Sequence, residues 1–547
     1  MLRRLPEEER QEALRTKILR AVNLPGISFY AVCGRPALAA ARARGLGIVG
    51  YAEAEDLLAA ARGVLWRPLL QEATFGLARR WPKYSASRRF TAEQALVLVA
   101  LLAAVVLSVV LLPPSLVLVW LSAVSGAFFL AVVAIRVLCF LPPIRWPDED
   151  PVAALSGDQL PAYSVLVPLF RETAVLSQLL TALKSLHYPR EKLDIKLILE
   201  EEDVLMRRAV AGLTLDDRFD VIIVPAGLPQ TKPRALNYAL QFCRGELVTI
   251  YDAEDIPEPD QLLKAAHRFA AAPPELACLQ AQLTFYNPNE NWLTRQFTAE
   301  YATLFGVLLP VLANHRLPLP LGGTSNHFRA DVLRTVGAWD PFNVTEDADL
   351  GLRLARLGYS TSVLDSLTYE EANTRFLNWM RQRARWLKGF LMTWLVHMRE
   401  PLTFMRDVGP AGFWAAQALT IGVFVSALVH PICMAATIIL YIAFPVLPQG
   451  AGLALLLLAG VNLFVLLAGY CTGFMLTRRA LRQRGIFHWT GTLAAMPLYW
   501  MLMSAAAWMA LWQFITRPFH WNKTEHGLSS LQKRAPVKRR KPSPGTA

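Results

Sequence analysis

Between Gly409 and Thr477 the chain runs for 69 residues without one Asp, Glu, Lys or Arg. A hydrocarbon layer of about 30 Å asks for about 20 apolar residues per crossing, so this stretch has the length of more than one membrane span. The Pro448-Gln449-Gly450 break divides it into two expected spans, roughly 413–446 and 452–477, the first kinked at His430-Pro431. Two shorter charge-free runs come earlier, Ala95 to Leu112 (18 residues) and Ser115 to Ile135 (21 residues), joined by a tight Pro113-Pro114 turn. Arg79, Arg80, Lys83, Arg88 and Arg89 precede this hairpin, and Arg136 and Arg145 follow it, which places both flanks in the cytoplasm. Arg478, Arg479, Arg482 and Arg484 return the chain to that side. A last apolar stretch, Ile486 to Thr516, is interrupted by Pro497. Full crossing there would put Lys533, Arg534, Lys538, Arg539, Arg540 and Lys541 outside, so a re-entrant or interfacial segment is expected, with a fifth span as the alternative. The expected setting is a bacterial-type inner membrane, crossed several times, with both termini cytoplasmic.

Composition narrows the class further. Of 547 residues 54% are hydrophobic and only 18% charged, which argues against a purely soluble enzyme. The net charge of +13 suits a basic cytoplasmic face against membrane lipids, and the basic residues form no single stripe, so nucleic acid is not an expected partner. Met1 to Arg10 is charged and no apolar region of a secretory signal follows it. Six cysteines lie far apart in no metal-binding spacing and read as packing residues in a reducing or membrane setting.

Residues 150–400 have ordinary mixed composition. Ser164–Leu169, Ile195–Leu199, Val221–Val224 and Leu247–Tyr251 are short β-rich runs, separated by helical patterns such as Leu176–Leu186 and Pro233–Cys243. That alternation predicts a parallel α/β sheet whose ligands gather at the carboxyl ends of its strands. Residues 23–62 read as a small separate α/β module, and 531–547 as a disordered basic tail.

Three polar clusters follow strand ends. The first strand runs into Pro168-Leu169-Phe170-Arg171-Glu172-Thr173, the second into Glu200-Glu201-Glu202-Asp203, the fourth into Tyr251-Asp252-Ala253-Glu254-Asp255. Adjacent carboxylates resist joint ionisation unless water or a cation compensates them. Asp252 and Glu254, two apart after a strand, can face one hard cation such as Mg²⁺ or Mn²⁺, or can form a solvated acidic turn. Downstream lie Leu321-Gly322-Gly323-Thr324-Ser325-Asn326 and Thr345-Glu346-Asp347. Thr345 reads either as an N-cap with acids in the first helical turn, or as the entry to a helix whose Asp347 is a general base. Finally, Gln382, Arg385, Trp386 and Gly389 share one helical face, offering a cation beside an aromatic platform. Trp379, Trp394 and Lys388 are expected at an interface, snorkelling toward headgroups.

Taken in order, Glu200–Asp203, Asp252-Ala253-Glu254, Thr345-Glu346-Asp347 and Gln382-x-x-Arg385-Trp386, followed by apolar spans, resemble the family 2 membrane glycosyltransferases of the cellulose-synthase-like group, over about residues 115–530. The resemblance implies an α/β GT-A (Rossmann-like) cytoplasmic catalytic domain inserted between transmembrane helices, beside the small N-terminal α/β module. It implies a 1–90 module, a 94–140 hairpin, a 150–400 catalytic domain, membrane and interfacial helices over 411–516, a gating segment at 517–530 and the 531–547 tail. The activity implied is inverting transfer from a UDP-sugar, with Mg²⁺ or Mn²⁺, to a β-linked polysaccharide that is exported; the alternatives are one sugar transferred to a lipid, and a catalytically silent receptor or scaffold. Accessory proteins on the secreted side are compatible with export. Glu172, Glu201 and Asp203 would contact the nucleoside, and Asp252 and Glu254 the metal-diphosphate, assisted by Lys232. Asp347, flanked by Glu346 and Thr345, would be the base; Arg385 would face the diphosphate, Trp386 the acceptor, and Gln382 the same pocket. Lys523, Thr524 and His526 would cap the substrate or form a juxtamembrane stop signal. Two departures from the family pattern stand out: Asp252-Ala253-Glu254 replaces a DxD, and no Arg-rich cyclic-di-GMP module of the PilZ type follows the last apolar segment. Residues 23–62 weakly resemble part of the N-terminal domain of type II secretion ATPases, some of which bind cyclic di-GMP.

Overall fold

A computed structural model describes residues 9, 12–13, 16, 18–24, 27–33, 35–52, 54–140, 155, 157–443, 452–518 and 527–529. The expected roles of Lys523, Thr524 and His526, and the 531–547 tail, lie outside the described residues.

The N-terminal module is a three-stranded sheet of β1 (Ile18–Leu24), β2 (Ile27–Cys33) and β3 (Gly47–Ala52), in that order. A long helix α1 (Ala54–Arg80) carries the chain from it onto the catalytic domain. There Leu65, Leu69 and Ala73 join one apolar core with Leu236 and Val248, and the amide nitrogens of Gln241 and Asn237 donate to the carbonyls of Leu69 and Ala73, each at 3.0 Å.

The catalytic domain is built on an eight-stranded sheet in the order β6-β5-β4-β7-β10-β9-β11-β8. Its first half matches the sequence pattern: β4 (Tyr163–Leu169), β5 (Leu193–Glu200), β6 (Phe219–Val224) and β7 (Leu247–Ile250) are mutually parallel. β4, β5 and β7 are buried nearly throughout, as strands covered on both faces must be. The second half departs from the all-parallel expectation. β10 (Asn326–Arg329) runs antiparallel to both β7 and β9 (Leu276–Phe285), β11 (Ser360–Glu370) is parallel to β9, and the short β8 (Ile256–Pro257) is antiparallel to β11. β10 is only four residues long, too short for its direction to be read from a hydrophobic pattern. Entering between β7 and β9 against the grain, it brings the Gly322–Ser325 loop beside the end of β7.

Five helical stretches among the described residues are long and apolar enough to cross a membrane: Ala92–Leu111, Trp292–Asn314, Pro401–Ala435, Leu457–Gln483 and Met496–Thr516. The first, α2 (Ala92–Leu111), is opened by a capping box at Thr91 and Gln94 and buries none of its length in the protein. It leads into α3 (Pro114–Leu138). The second stretch was not anticipated. Helix α5 (Trp292–Thr303) and its π-helical continuation Leu304–Leu308 are mostly buried, wedged under the sheet. Before α5 in sequence, α4 (Lys232–Leu240) follows β6, and after it α6 (Glu346–Arg356) precedes β11. After β11 come α7 (Phe376–His397) and α8 (Pro401–Gln417), the latter broken at Gly409, whose φ of 72° is a glycine conformation. A π-helical segment Ala418–Gly422 then opens α9 (Val423–Ala443), which contains Pro431, and α10 (Gly452–Gln483) returns the chain. The final helix α11 (Met496–Thr516) packs beside α7 and touches the catalytic half at both ends. Near its start Tyr499 meets Arg383; past its end the Arg517 carbonyl meets Lys388, and the Ile515 carbonyl accepts from Arg89 at 3.2 Å.

Helix α6 is seated by Gly351. A β-carbon there would stand 2.0 Å from the Leu319 carbonyl oxygen, a backbone atom with no room to retreat. Gly351→Ala is expected to destabilise the catalytic domain by about 1–3 kcal/mol, the usual range for overpacking. Thermal unfolding of the purified protein should show a lower midpoint than wild type.

Candidate active site

The site lies where the carboxyl ends of β4, β5 and β7 meet the N-terminus of α6 and one face of α7. One cavity of about 1660 Å³ joins these elements to the membrane helices. Its catalytic end is walled by Glu172, Glu200, Lys232, Asp252, Glu254, Gly323, Thr345, Glu346, Asp347, Glu370, Gln382, Arg385 and Trp386. Most of the residues expected from the sequence therefore meet in one place.

Glu201 and Asp203 do not. Asp203 caps the helix after β5, accepting from the Met206 N–H at 3.1 Å, and ties down the first loop by accepting from the Arg171 N–H at 2.6 Å. Glu201 accepts from the Ala226 N–H at 2.8 Å. Both carboxylates are used by backbone, and neither is on the cavity wall. Glu200 takes the place on the wall, paired at 2.6 Å with the buried Arg234. Burial pushes its carboxyl up to about 7 although Arg234 pulls the other way.

Lys232, the first residue of α4, reaches across to donate to Asp252 Oδ1 at 2.5 Å and to the Gly323 carbonyl at 2.7 Å. Burial alone would lower its pKa, but Asp252, Glu346 and Asp347 more than reverse this and hold it above the ordinary lysine value. The acids around it carry the opposite strain. Asp255 is fully buried, its carboxyl driven well above the usual range by burial and then by Asp252 and Glu254. Its Oδ2 accepts from the Asp252 N–H at 2.7 Å, while its Oδ1 is buried with no hydrogen-bond partner. Glu370, at the end of β11, is pushed in the same direction by burial, Asp255, Glu254 and Asp252.

An acidic centre with an orphaned carboxylate oxygen and several acids forced toward neutrality is short of positive charge. Its hard oxygen donors fit a divalent cation such as Mg²⁺ or Mn²⁺. Among the described residues no three His, Cys, Asp or Glu side chains converge on one metal position. The protein's share would then be Asp252 and Glu254, with diphosphate and water filling the remaining positions.

Thr345 corrects the capping expectation. It stands at the N-cap position of α6, but its side chain makes no capping bond. Its N–H donates to Asn343 Oδ1 at 3.1 Å, and its side chain packs against Gly389 of α7. A β-carbon at 389 would lie 2.3 Å from Thr345 Cγ2 and 2.4 Å from its Oγ1. Two residues on, Asp347 Oδ1 accepts from the Ala348 N–H at 2.8 Å. A β-carbon on Gly323 would lie 3.2 Å from Asp347 Oδ2. Burial raises Asp347, while the Ala348 N–H, Lys232 and Arg385 oppose the shift; Glu346 is pushed up to about 7 by burial and by Asp347. Arg385 is half-buried; its desolvation lowers the pKa, and Glu346, Asp347 and Asp252 oppose that shift.

On α7, Gln382, Arg385 and Trp386 all face the cavity, and Gln382 is fixed by Asn373, whose amide donates to it at 2.8 Å. Trp379 and Lys388 contradict the snorkelling expectation. Both are fully buried, because α11 and α5 cover the side of α7 that the sequence pattern assigned to headgroups. Trp394 is half-buried against the same core, its indole N–H donating to Gln417 at 2.6 Å. Burial and the nearby Arg385 push the Lys388 ammonium down to about 8.

Sequence reasoning passed over Glu370, Glu300 and Arg383. The acidic pair ending the β-rich run Ser360–Glu370 was a usable signal for the first. Nothing in spacing alone marks the other two.

Residues 247–519 match glycosyl transferase family group 2. The Bacillus subtilis protein named probable glycosyltransferase YdaM is 25% identical over 240 residues, covering 42% of this chain and 56% of that protein. Cellulose synthase 2 of Novacetimonas hansenii is 27% identical over 267 residues, 47% of this chain and 16% of that one. A beta-monoglucosyldiacylglycerol synthase of Trichormus variabilis is 27% identical over 236 residues, 42% and 49% respectively. The chain thus spans about half the length of two of these relatives and a small part of the third. A solved structure of the mannosyltransferase PcManGT from Pyrobaculum calidifontis, in complex with GDP-Man and Mn²⁺, is similar over 73% of this chain and 99% of that chain, at 17% identity and a TM-score of 0.43.

Gly389→Ala should drive α7 away from Thr345 and shift Arg385 and Trp386 against Asp347. A displacement near 1 Å at reacting groups costs about a hundredfold in rate. The expected result is a fall in turnover of that order, partly recovered when Thr345→Ser removes the nearer methyl group.

Proposed function

The chain belongs to the family 2 glycosyltransferases, in their cellulose-synthase-like group, and on that premise we propose that it extends a β-linked polysaccharide from a UDP-sugar, UDP-glucose foremost, and exports the product through its own membrane helices. One observation carries this reading: the cavity is continuous from the acidic centre into the helices. Its wall follows α3 from Arg136 to Leu116, which at 1.5 Å per residue is about 30 Å, the thickness of the hydrocarbon layer. α9 and α10 supply the rest, through residues such as His430, Asn462 and Tyr470. α2, α3, α9 and α10 are read as full spans. α11, held to the catalytic half at both ends, is read as an interfacial helix, which keeps both termini cytoplasmic.

The chemistry follows from the groups in place. Asp347 accepts the proton of the acceptor hydroxyl as that oxygen bonds to the anomeric carbon. The bond from that carbon to the diphosphate breaks, and UDP leaves with the electron pair. Inversion results from this single displacement, and no second carboxylate is needed as nucleophile. Arg385 and Lys232 face the diphosphate as its charge grows. A divalent cation on Asp252 and Glu254 would add further neutralisation of the leaving group. Trp386 offers its ring to the acceptor.

A second reading has its own support. Much of the membrane half of the cavity is aliphatic or aromatic, including Val119, Phe129, Val132, Ile432 and Leu466. Such a wall suits acyl chains, and glycolipid synthases are among the relatives. In that case one sugar is transferred to a lipid. Purified protein in nanodiscs, offered UDP-glucose, UDP-N-acetylglucosamine and UDP-galactose in turn with Mg²⁺ or Mn²⁺, separates the two. A glycosidase-sensitive polymer supports export, a singly glycosylated lipid supports the second reading, and absence of turnover on every donor removes both.

Asp347→Asn should abolish transfer while leaving the fold intact. A base with a raised pKa is ionised only at higher pH, so the sign is fixed: kcat/KM should fall on acidification at a pH above the ordinary carboxylate range. A rate that stays flat down into the ordinary carboxylate range, about pH 4, would refute Asp347 as the base.

A further inference from the structure

Elsewhere on the cavity wall from Asp347, one carboxylate is held in place from two sides. Glu300 of α5 accepts two parallel bonds from the Arg383 guanidinium, 2.7 Å to Oε1 and 2.6 Å to Oε2. The Tyr499 hydroxyl donates to Glu300 Oε2 at 2.6 Å and accepts from Arg383 at 2.9 Å. Arg383 is sealed among rings, with its guanidinium carbon 4.3 Å from the Phe297 centroid, 4.7 Å from Trp386 and 5.6 Å from Trp379. Trp386 is in turn stacked on Tyr301 at 6.2 Å and 25°.

Burial within this group is uneven. The Arg383 side chain is 3% exposed and the Glu300 side chain 35%. Glu300, Arg383, Tyr499 and Trp386 all line the cavity. An ion pair serving only to fasten α5 to α7 has no need to leave its acid open. Here the cation is locked away, while the carboxylate, held by Arg383 and Tyr499, stays part-exposed on the wall of the same cavity that Trp386 lines. An aromatic face next to a fixed hydrogen-bond acceptor is a pairing suited to a sugar ring, whose C–H face lies on the aromatic while its hydroxyls donate to the carboxylate.

We propose that Glu300 is an acceptor-binding residue that hydrogen-bonds the hydroxyls of the sugar seated against Trp386, and that Arg383 and Tyr499 are positioning residues acting through it. The inference deepens the polysaccharide reading and rests on it for the identity of the acceptor. The set spans α5, α7 and α11, so the subsite would exist only when the final helix is docked on the catalytic half.

The test uses the full chain in nanodiscs and two separate readouts. The first is tryptophan fluorescence on titration with a soluble β-glucan oligosaccharide; the second is steady-state turnover of UDP-glucose with that oligosaccharide as acceptor. Glu300→Gln should weaken oligosaccharide binding about tenfold, the scale of one charge-assisted hydrogen bond, and raise the acceptor KM alike, with the donor KM within about twofold of wild type. Glu300→Asp, which keeps the charge for Arg383 but withdraws it by one methylene, should do the same if Glu300→Gln does not fold. Tyr499→Phe should shift the acceptor KM in the same direction by less. Wild-type binding in both Glu300 variants, donor and acceptor KM rising together, or wild type that turns over UDP-glucose without any oligosaccharide response would overturn the proposal. Oligosaccharide binding that depends on Glu300, in a protein that turns over no UDP-sugar, would uphold the subsite and sink the donor reading instead.

Discussion

Helix α7 reaches the acidic start of α6 because residue 389 has no β-carbon. With any other side chain there, Thr345 would hold the two helices apart. Their close approach sets Arg385 near Glu346 and Asp347, close enough for the guanidinium and the two acids to favour each other's charged forms. It also fixes where Trp386 stands relative to the base. Gly351 and Gly323 repeat the device on neighbouring surfaces, one letting α6 settle on the Leu319 carbonyl, the other admitting Asp347 beside the loop that precedes β10. The catalytic centre is thus assembled by removing side-chain bulk at three points where backbone must come close.

Charge is arranged with similar economy. Lys232 stands against Asp252, with Glu346 and Asp347 close enough to raise its pKa. The remaining acids, Asp255 and Glu370, are held where their ionised forms are disfavoured. A site built this way has little affinity for an isolated anion and a strong demand for added positive charge. That matches a donor arriving with its own counter-ion. The mixed sheet serves the same end: β10, reversed between two strands, delivers Gly323 to the lysine from the side opposite α4.

The legible part of this molecule was what repeats or clusters along the chain. The parallel half of the sheet, the helix carrying Gln382, Arg385 and Trp386, and the convergence of Asp252, Lys232 and Asp347 all have local signatures, namely alternation, helical spacing and acids at strand ends. What escaped depends on neighbours remote in sequence. Trp379 and Lys388 look like interfacial anchors until α11 is laid over them. Glu201 and Asp203 accept from the backbone amides of Ala226, Arg171 and Met206, which spacing does not disclose, and it is Glu200 that lines the cavity. Thr345 looks like a cap, but its partner is a glycine 44 positions away. The apolar stretch from Trp292 drew no attention, although most of it is buried inside the protein. The antiparallel strand β10 was hidden by its brevity.

On the export reading, the cavity that joins the acidic centre to the far end of α3 has an electrical consequence. A membrane with a voltage across it drives ions through any wetted path, and a bore lined by Ser122, Ser125, Asn462 and Tyr470 offers water several places to bond. On that reading an idle enzyme left empty would be a shunt across its membrane. Occupation of the bore by the enzyme's own product, held during and between turnovers, would be the simplest plug. The insulating state and the working state would then be one and the same, and releasing the last chain would be the dangerous step.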